Sequence, residues 1–150
     1  MTVHVQVACR SRGIPDARRI RSWARAALAG RRSRTELTVR VVGAREGRVL
    51  NERWRGLPHA TNVLSFPATA LTVTRGTLGD IAVCAPVVAR EAKSQGKTPA
   101  AHWAHLVIHG VLHLLGHDHE RQRDAAAMEA LEARILARLG FPDPYAEERI

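Results

Sequence analysis

Three histidines, His109, His113 and His119, stand in the pattern H-x-x-x-H-x-x-G-x-x-H. Histidines four residues apart on a helix share one face, with about 6 Å between their Cβ atoms. Gly116 suits the left-handed conformation that ends a helix, so the chain can turn and bring His119 back to the same point. Three imidazoles with one open position are the donor set of a catalytic zinc; a structural zinc closes its fourth position with protein.

The same spacing occurs in the third-histidine variant of the zincin signature. Zincin peptidases place a glutamate directly after the first histidine as general base. Here that position is Gly110, which has no side chain to take a proton. A peptidase would need Asp118 or Glu120 as a substitute. A metal that activates its own water needs the base less, because bound zinc can lower a water pKa to about 7.

The element that positions the first two ligands reads as a helix from Pro99 to Leu115, with Thr98 as its cap. At about 100° per residue, His102, His105, His109 and His113 fall on one stripe, and apolar residues from Trp103 to Leu115 cover nearly all the rest. A helix apolar almost all round belongs in the middle of a domain. Its histidine stripe is therefore expected to line an internal cleft. Six of the eight histidines lie between His102 and His119. His102 and His105, upstream of the ligand pair, read as cleft lining, and His117 as a solvated loop residue.

At 150 residues the chain reads as one domain, 1–150, with room for a real core. No stretch has the eighteen or so apolar residues of a membrane span, and the N-terminus lacks the apolar run of a secretory signal, so a cytoplasmic location is expected. Cys9 and Cys84 are isolated in strand-like contexts and read as small buried residues. The net charge is +9. Residues 1–50 hold twelve arginines and three acids; the other hundred hold eleven bases and eleven acids, so the whole excess lies in the first third. Such a face suits a polyanion. Arg18, Arg21 and Arg25, at helical spacing, are its candidate polyanion-binding residues.

In chain order, Val3–Ala8 alternates like a strand and Ile14–Gly30 reads as a helix with Ile20, Trp23, Ala24, Ala27 and Leu28 inward. Glu36–Val42 is a β-branched strand. Ala44–Trp54 reads as a short helix with Val49, Leu50 and Trp54 inward. Arg55 follows, beside the Gly56 turn, where a guanidinium could bind phosphate or carboxylate through two parallel hydrogen bonds. Thr61–Phe66 and Leu78–Cys84 read as strands around a polar excursion over 68–77, and Pro86–Gly96 as a helix. Arg123–Leu139 reads as an amphipathic helix with Met128, Leu131, Ile135 and Leu139 inward, followed by a frayed end. The mixture predicts an α+β fold, a small mixed sheet with helices packed on its faces.

Three blocks in order carry a resemblance: L-N-E-R-W-R-G with T-N-V-L-S-F-P, then L-G-D-I, then H-W-A-H-L-V-I-H-G-V-L-H-L-L-G-H-D-H. Together they resemble the YbeY family, bacterial single-strand-specific endoribonucleases and ribosomal RNA maturation factors. The likeness covers most of Leu50 to His119; the family usually has tyrosine where this chain has His117. It implies that His109, His113 and His119 bind one Zn²⁺ per chain and that Arg55 is the family's functional arginine. It further implies an α+β fold with a zincin-like metal helix and a role in 16S rRNA 3′-end maturation and ribosome quality control.

The leading expectation is therefore zinc-assisted cleavage of single-stranded RNA on the small ribosomal subunit. His113 and Arg55 are its catalytic residues, and the arginine face holds the flanking backbone. Two rivals remain: a zinc metallopeptidase with an unusual base, and a non-catalytic ribosome-assembly factor with structural zinc.

Overall fold

The β-branched runs pair into a four-stranded sheet around which the helices are arranged. The computed structural model describes residues 2–28, 36–68, 76–116 and 122–146. Its elements are β1 (Thr2–Val7), α1 (Ala17–Ala27), β2 (Glu36–Val42), α2 (Ala44–Arg55), β3 (Val63–Pro67) and β4 (Thr77–Cys84), then α3 (Ala85–Ser94), α4 (Pro99–Leu114) and α5 (Gln122–Arg138). The strand order is β1-β2-β4-β3. β1, β2 and β4 run parallel, and β3 lies antiparallel on the edge beside β4. This is the expected α+β architecture.

Alternation along the strands sends Val39, Val41, Ile81 and Val83 to one face, where all are fully buried. That face packs against α1 and α4, with Ile20, Trp23, Ile108 and Leu112 in the same core. Burying each such side chain contributes about 1.5–3 kcal/mol. Among the described residues, the far end of the opposite face is the part that is covered: Val42, Cys84 and Val87 pack with Leu50 and Ala60, joining α2 and α3 to the sheet. Cys84 is buried as expected, whereas Cys9 is half-buried.

α4 starts where the sequence places it, with the Thr98 hydroxyl accepting from the Ala101 amide at 3.2 Å and Pro99 in the first turn. Gly116, at φ 94°, follows its end. Gly110 lets α4 lie close against the sheet: a Cβ there would come within 3.0 and 3.1 Å of Ile81 and 3.3 Å of Val63. The missing zincin glutamate thus has a packing cause, since a longer side chain at 110 would drive into β3 and β4.

Two expectations about α2 are corrected. Val49 is 54% and Trp54 64% exposed. The inward stripe is set instead by Gly47, which sits against Cys84, by half-buried Leu50 and by buried Asn51, whose amide donates to the His59 carbonyl at 2.7 Å. Trp54 continues this stripe one turn further, beyond the covered part of the sheet. There its ring meets the edge of Phe66, with centroids 5.3 Å apart. α1 begins at Ala17, later than the sequence suggested, because the Asp16 carboxylate caps it by accepting from the Arg19 amide at 2.9 Å. Gly30, residues 69–75 of the polar excursion and the extreme C-terminus lie outside the described residues.

Candidate metal centre

The helical period of α4 stacks its four histidines along one line, from the buried His102 to the half-buried His113. Successive ring centroids are 6.3, 6.2 and 4.6 Å apart. Each of the first three rings is held by a carboxylate from another helix. His102 Nε2 lies 2.9 Å from Glu91 of α3, and Glu91 also accepts from the Asn62 amide at 3.0 Å. Burial lowers the His102 pKa against the opposing pull of Glu91, which favours a neutral ring.

Glu132 of α5 is fully buried and takes three donors. His105 Nε2 is 2.5 Å from one carboxylate oxygen, the Tyr145 hydroxyl donates to the same oxygen at 2.6 Å, and His109 Nδ1 is 2.8 Å from the other. Burial pushes the Glu132 pKa up, but the hydrogen bonds and charges of His105 and His109 outweigh it and hold the group at about 2. An ionised carboxylate must receive a proton from each imidazole it meets. His109 therefore carries its proton on Nδ1, and its Nε2 lone pair points away from Glu132. A carboxylate that fixes the tautomer and orientation of a ligand histidine is the usual support of a metal site.

His109 Nε2 lies 3.1 Å from His113 Nε2. Two nitrogens at that separation can both lie ~2.0–2.1 Å from one ion with an angle of roughly 100° at the metal. The pair fits a transition ion. His119, the third expected ligand, lies outside the described residues, as do His117, Asp118 and Glu120. A second group, His105, His109 and Glu132, could also hold an ion, with ligand atoms within 4.8 Å of one another. An ion there would displace the hydrogen bonds just described, between side chains of which two are buried. The His113 side of His109 instead opens to a hollow.

That hollow, of about 540 Å³, is lined by His109 and His113 and by Arg55, Asn62, Ser65 and other residues of the α2–β3 segment. Arg55 is brought there because α2 stops at Gly56, whose φ of 70° is left-handed. The Ser65 hydroxyl donates to the Gly110 carbonyl at 3.1 Å, fastening β3 to the metal helix. No acidic side chain among the described residues lines this hollow. Arg18, Arg21 and Arg25 do not line it either: Arg18 and Arg25 are exposed on α1, and half-buried Arg21 donates to the Val3 carbonyl at 3.1 Å. His102 and His105 line a smaller hollow of about 250 Å³ together with His109 and Tyr145.

A family model described as Endoribonuclease YbeY matches residues 6–140. The chain belongs to the YbeY family. A relative from Stenotrophomonas maltophilia (strain R551-3), named Endoribonuclease YbeY, is 53% identical over 154 residues, covering 99% of this chain and 96% of the relative. Another of that name, from Stutzerimonas stutzeri (strain A1501), is 52% identical over 149 residues, covering 97% and 93%. The solution structure of TM1509 from Thermotoga maritima shares the fold, with a TM-score of 0.58, 22% identity and coverage of 90% and 91%. The YbeY blocks quoted from the sequence sit around one place in this fold. L-N-E-R-W-R-G supplies Arg55, T-N-V-L-S-F-P forms the wall, and the histidine block supplies the floor. In L-G-D-I, Gly79 has φ 147° and a Cβ there would lie 2.4 Å from the Phe66 carbonyl, so the block sets the β3–β4 pairing that carries the wall.

Sequence reasoning missed Glu132, Glu91 and Tyr145. Glu132 left one signal: it stands four residues after Met128 on the apolar stripe of α5, where a lone carboxylate requires a partner.

Proposed function

We propose that this YbeY-family chain is a zinc-dependent endoribonuclease that cleaves single-stranded RNA in the hollow between Arg55 and the His109–His113 pair. The observation that carries the reading is the convergence of two imidazole Nε2 atoms 3.1 Å apart in the same hollow as an arginine, with no carboxylate among its described lining residues. Such a lining attracts a phosphodiester and repels nothing on it. The names of the relatives support RNA as substrate.

His109 and His113, with His119, would hold the ion, which supplies a Lewis acid and a water of lowered pKa when bound. Arg55 carries the remaining electrostatic work. Its forked donors match two phosphate oxygens and stabilise the added negative charge as the phosphorus gains its fifth oxygen. Glu132 keeps the His109 proton on Nδ1, so that the ring cannot turn its N–H toward the ion. The nucleophile is either water or the 2′-hydroxyl of the RNA. Arg18, Arg21 and Arg25 act at a distance, holding flanking backbone in a salt-dependent way. In the cell the activity would serve 16S rRNA 3′-end maturation and ribosome quality control on the small subunit in the cytoplasm. No helix among the described residues is long and apolar enough to cross a membrane.

The peptidase alternative is disfavoured by Gly110, whose packing against Ile81 leaves no room for the usual base. The test compares rigorously purified wild type, His113→Ala and Arg55→Glu on a labelled single-stranded RNA and on its duplex. Each substitution should lower single-strand cleavage by about 10²-fold or more, with the fold intact by circular dichroism. Undiminished cleavage by both would assign the activity to another site or another protein.

A further inference from the structure

A second hollow, of about 610 Å³, lies over the open end of the sheet, on the face that α2 and α3 leave uncovered. Trp54, Phe66 and Pro67 line both hollows, so the two adjoin across this ridge. The ridge has the chemistry of a stacking platform. Trp54 is 64% exposed, and Phe66 meets its ring at an interplanar angle of 60°, which steadies the indole while leaving it accessible.

Beyond the ridge, strand alternation presents Gln6, Thr38, Arg40 and Asp80 on one face. The charge of Arg40 is already matched there: its Nε and Nη2 donate to the two Glu46 carboxylate oxygens at 2.6 and 2.9 Å, and its Nη1 donates to Gln6 at 3.1 Å. Exposed Asp80 adds a negative charge. Among the described residues, this surface presents no unmatched positive charge to a phosphate. It suits a flat, neutral group with donors and acceptors on its edge, which is what a nucleobase is.

We propose that the sheet-face hollow is a nucleobase subsite. Resting on the RNA reading above, the phosphate sits by Arg55, and the neighbouring base turns over the ridge and stacks on Trp54. Its edge faces Gln6, Thr38 and Asp80. A base inside a duplex is already stacked and paired and cannot turn out without losing both, so the platform favours single strands. Aromatic stacking of this kind accepts any base, and edge contacts at Gln6 and Asp80 add a preference among bases.

The test is direct binding. Trp23 and Trp103 are 4% and 2% exposed, so iodide reaches the emission of Trp54 first among the three tryptophans. A 2′-O-methyl RNA decamer, whose blocked hydroxyl removes the 2′-hydroxyl route to cleavage, should shield that emission from iodide. Trp54→Ala should weaken decamer binding by about 5- to 150-fold, the range of one lost base stack. Trp54→Phe should restore most of the affinity. The salt dependence should stay unchanged in Trp54→Ala and flatten in Arg55→Glu. An abasic decamer should bind wild type no better than the intact decamer binds Trp54→Ala. Unchanged affinity in Trp54→Ala, with binding still weakened in Arg55→Glu, would overturn the base subsite while leaving the RNA reading standing. No binding of any decamer by wild type would overturn both.

Discussion

Replacing Glu132 by glutamine keeps its volume and removes its charge. The buried carboxylate then no longer matches the N–H groups of His105 and His109, and the new amide N–H₂ faces donors on every side. A carboxyl group held at about 2 instead of 4.5 corresponds to about 3 kcal/mol in favour of its ionised form in the folded chain. Losing a hydrogen bond to a buried charged group typically costs about 1.5–3 kcal/mol, so both routes give the same order. For a chain of 150 residues that lowers Tm by roughly 6–12 °C at pH 7. The folded-state pKa is depressed, so the stabilisation is complete above the ordinary glutamate value and is lost as pH falls toward 2. The Tm gap between wild type and Glu132→Gln should therefore close from about pH 4 downward. Metal affinity, measured by chelator competition at pH 7, should fall about 10–100-fold through the loosened His109. A Tm change below about 2 °C, or a gap independent of pH, would refute the role given to this carboxylate.

Three further outcomes follow from the packing. Gly110→Ala puts a Cβ against Ile81 and Val63 and should destabilise by about 1–3 kcal/mol; a rise in Tm would show that α4 has room to spare. Thr98→Ala removes the cap of the metal helix and should cost about 1 kcal/mol, whereas Thr98→Ser should be close to neutral; equal losses in the two would remove the hydroxyl from the account. Arg40 holds the Glu46 carboxyl below its usual range, so Glu46→Gln should lower stability at neutral pH and lose its effect as pH falls below the ordinary glutamate value and through the lowered one. Because both side chains are more than a third exposed or close to it, the effect should be under about 1 kcal/mol, and a larger one in urea unfolding would contradict the exposed geometry.

The parts legible in the sequence were those that repeat locally. Period-two runs gave the strands within two residues, and Thr98, Pro99 and Gly116 gave the bounds of the metal helix. The four-residue step from His109 to His113 was enough to name that pair, and the YbeY resemblance, more than the glycine turn beside it, named Arg55 in the same hollow. What escaped was non-local. Glu91 meets His102 across 11 positions and Glu132 meets His105 across 27, so nothing in either helix's own sequence announces its partner. Trp54 was expected inside because it obeys the helical period; its exposure depends on where the sheet ends, which periodicity does not record. The strand order, with β4 between β2 and β3, was likewise set by pairing between distant segments.

The central claim is a transition ion on the imidazoles that line the Arg55 hollow. Elemental analysis of purified native protein, alongside His113→Ala, tests it most directly. The account predicts close to one zinc per chain in wild type and a loss of most of it in a folded His113→Ala. Wild type without a stoichiometric transition ion, or a His113→Ala variant that keeps its full complement, would contradict it.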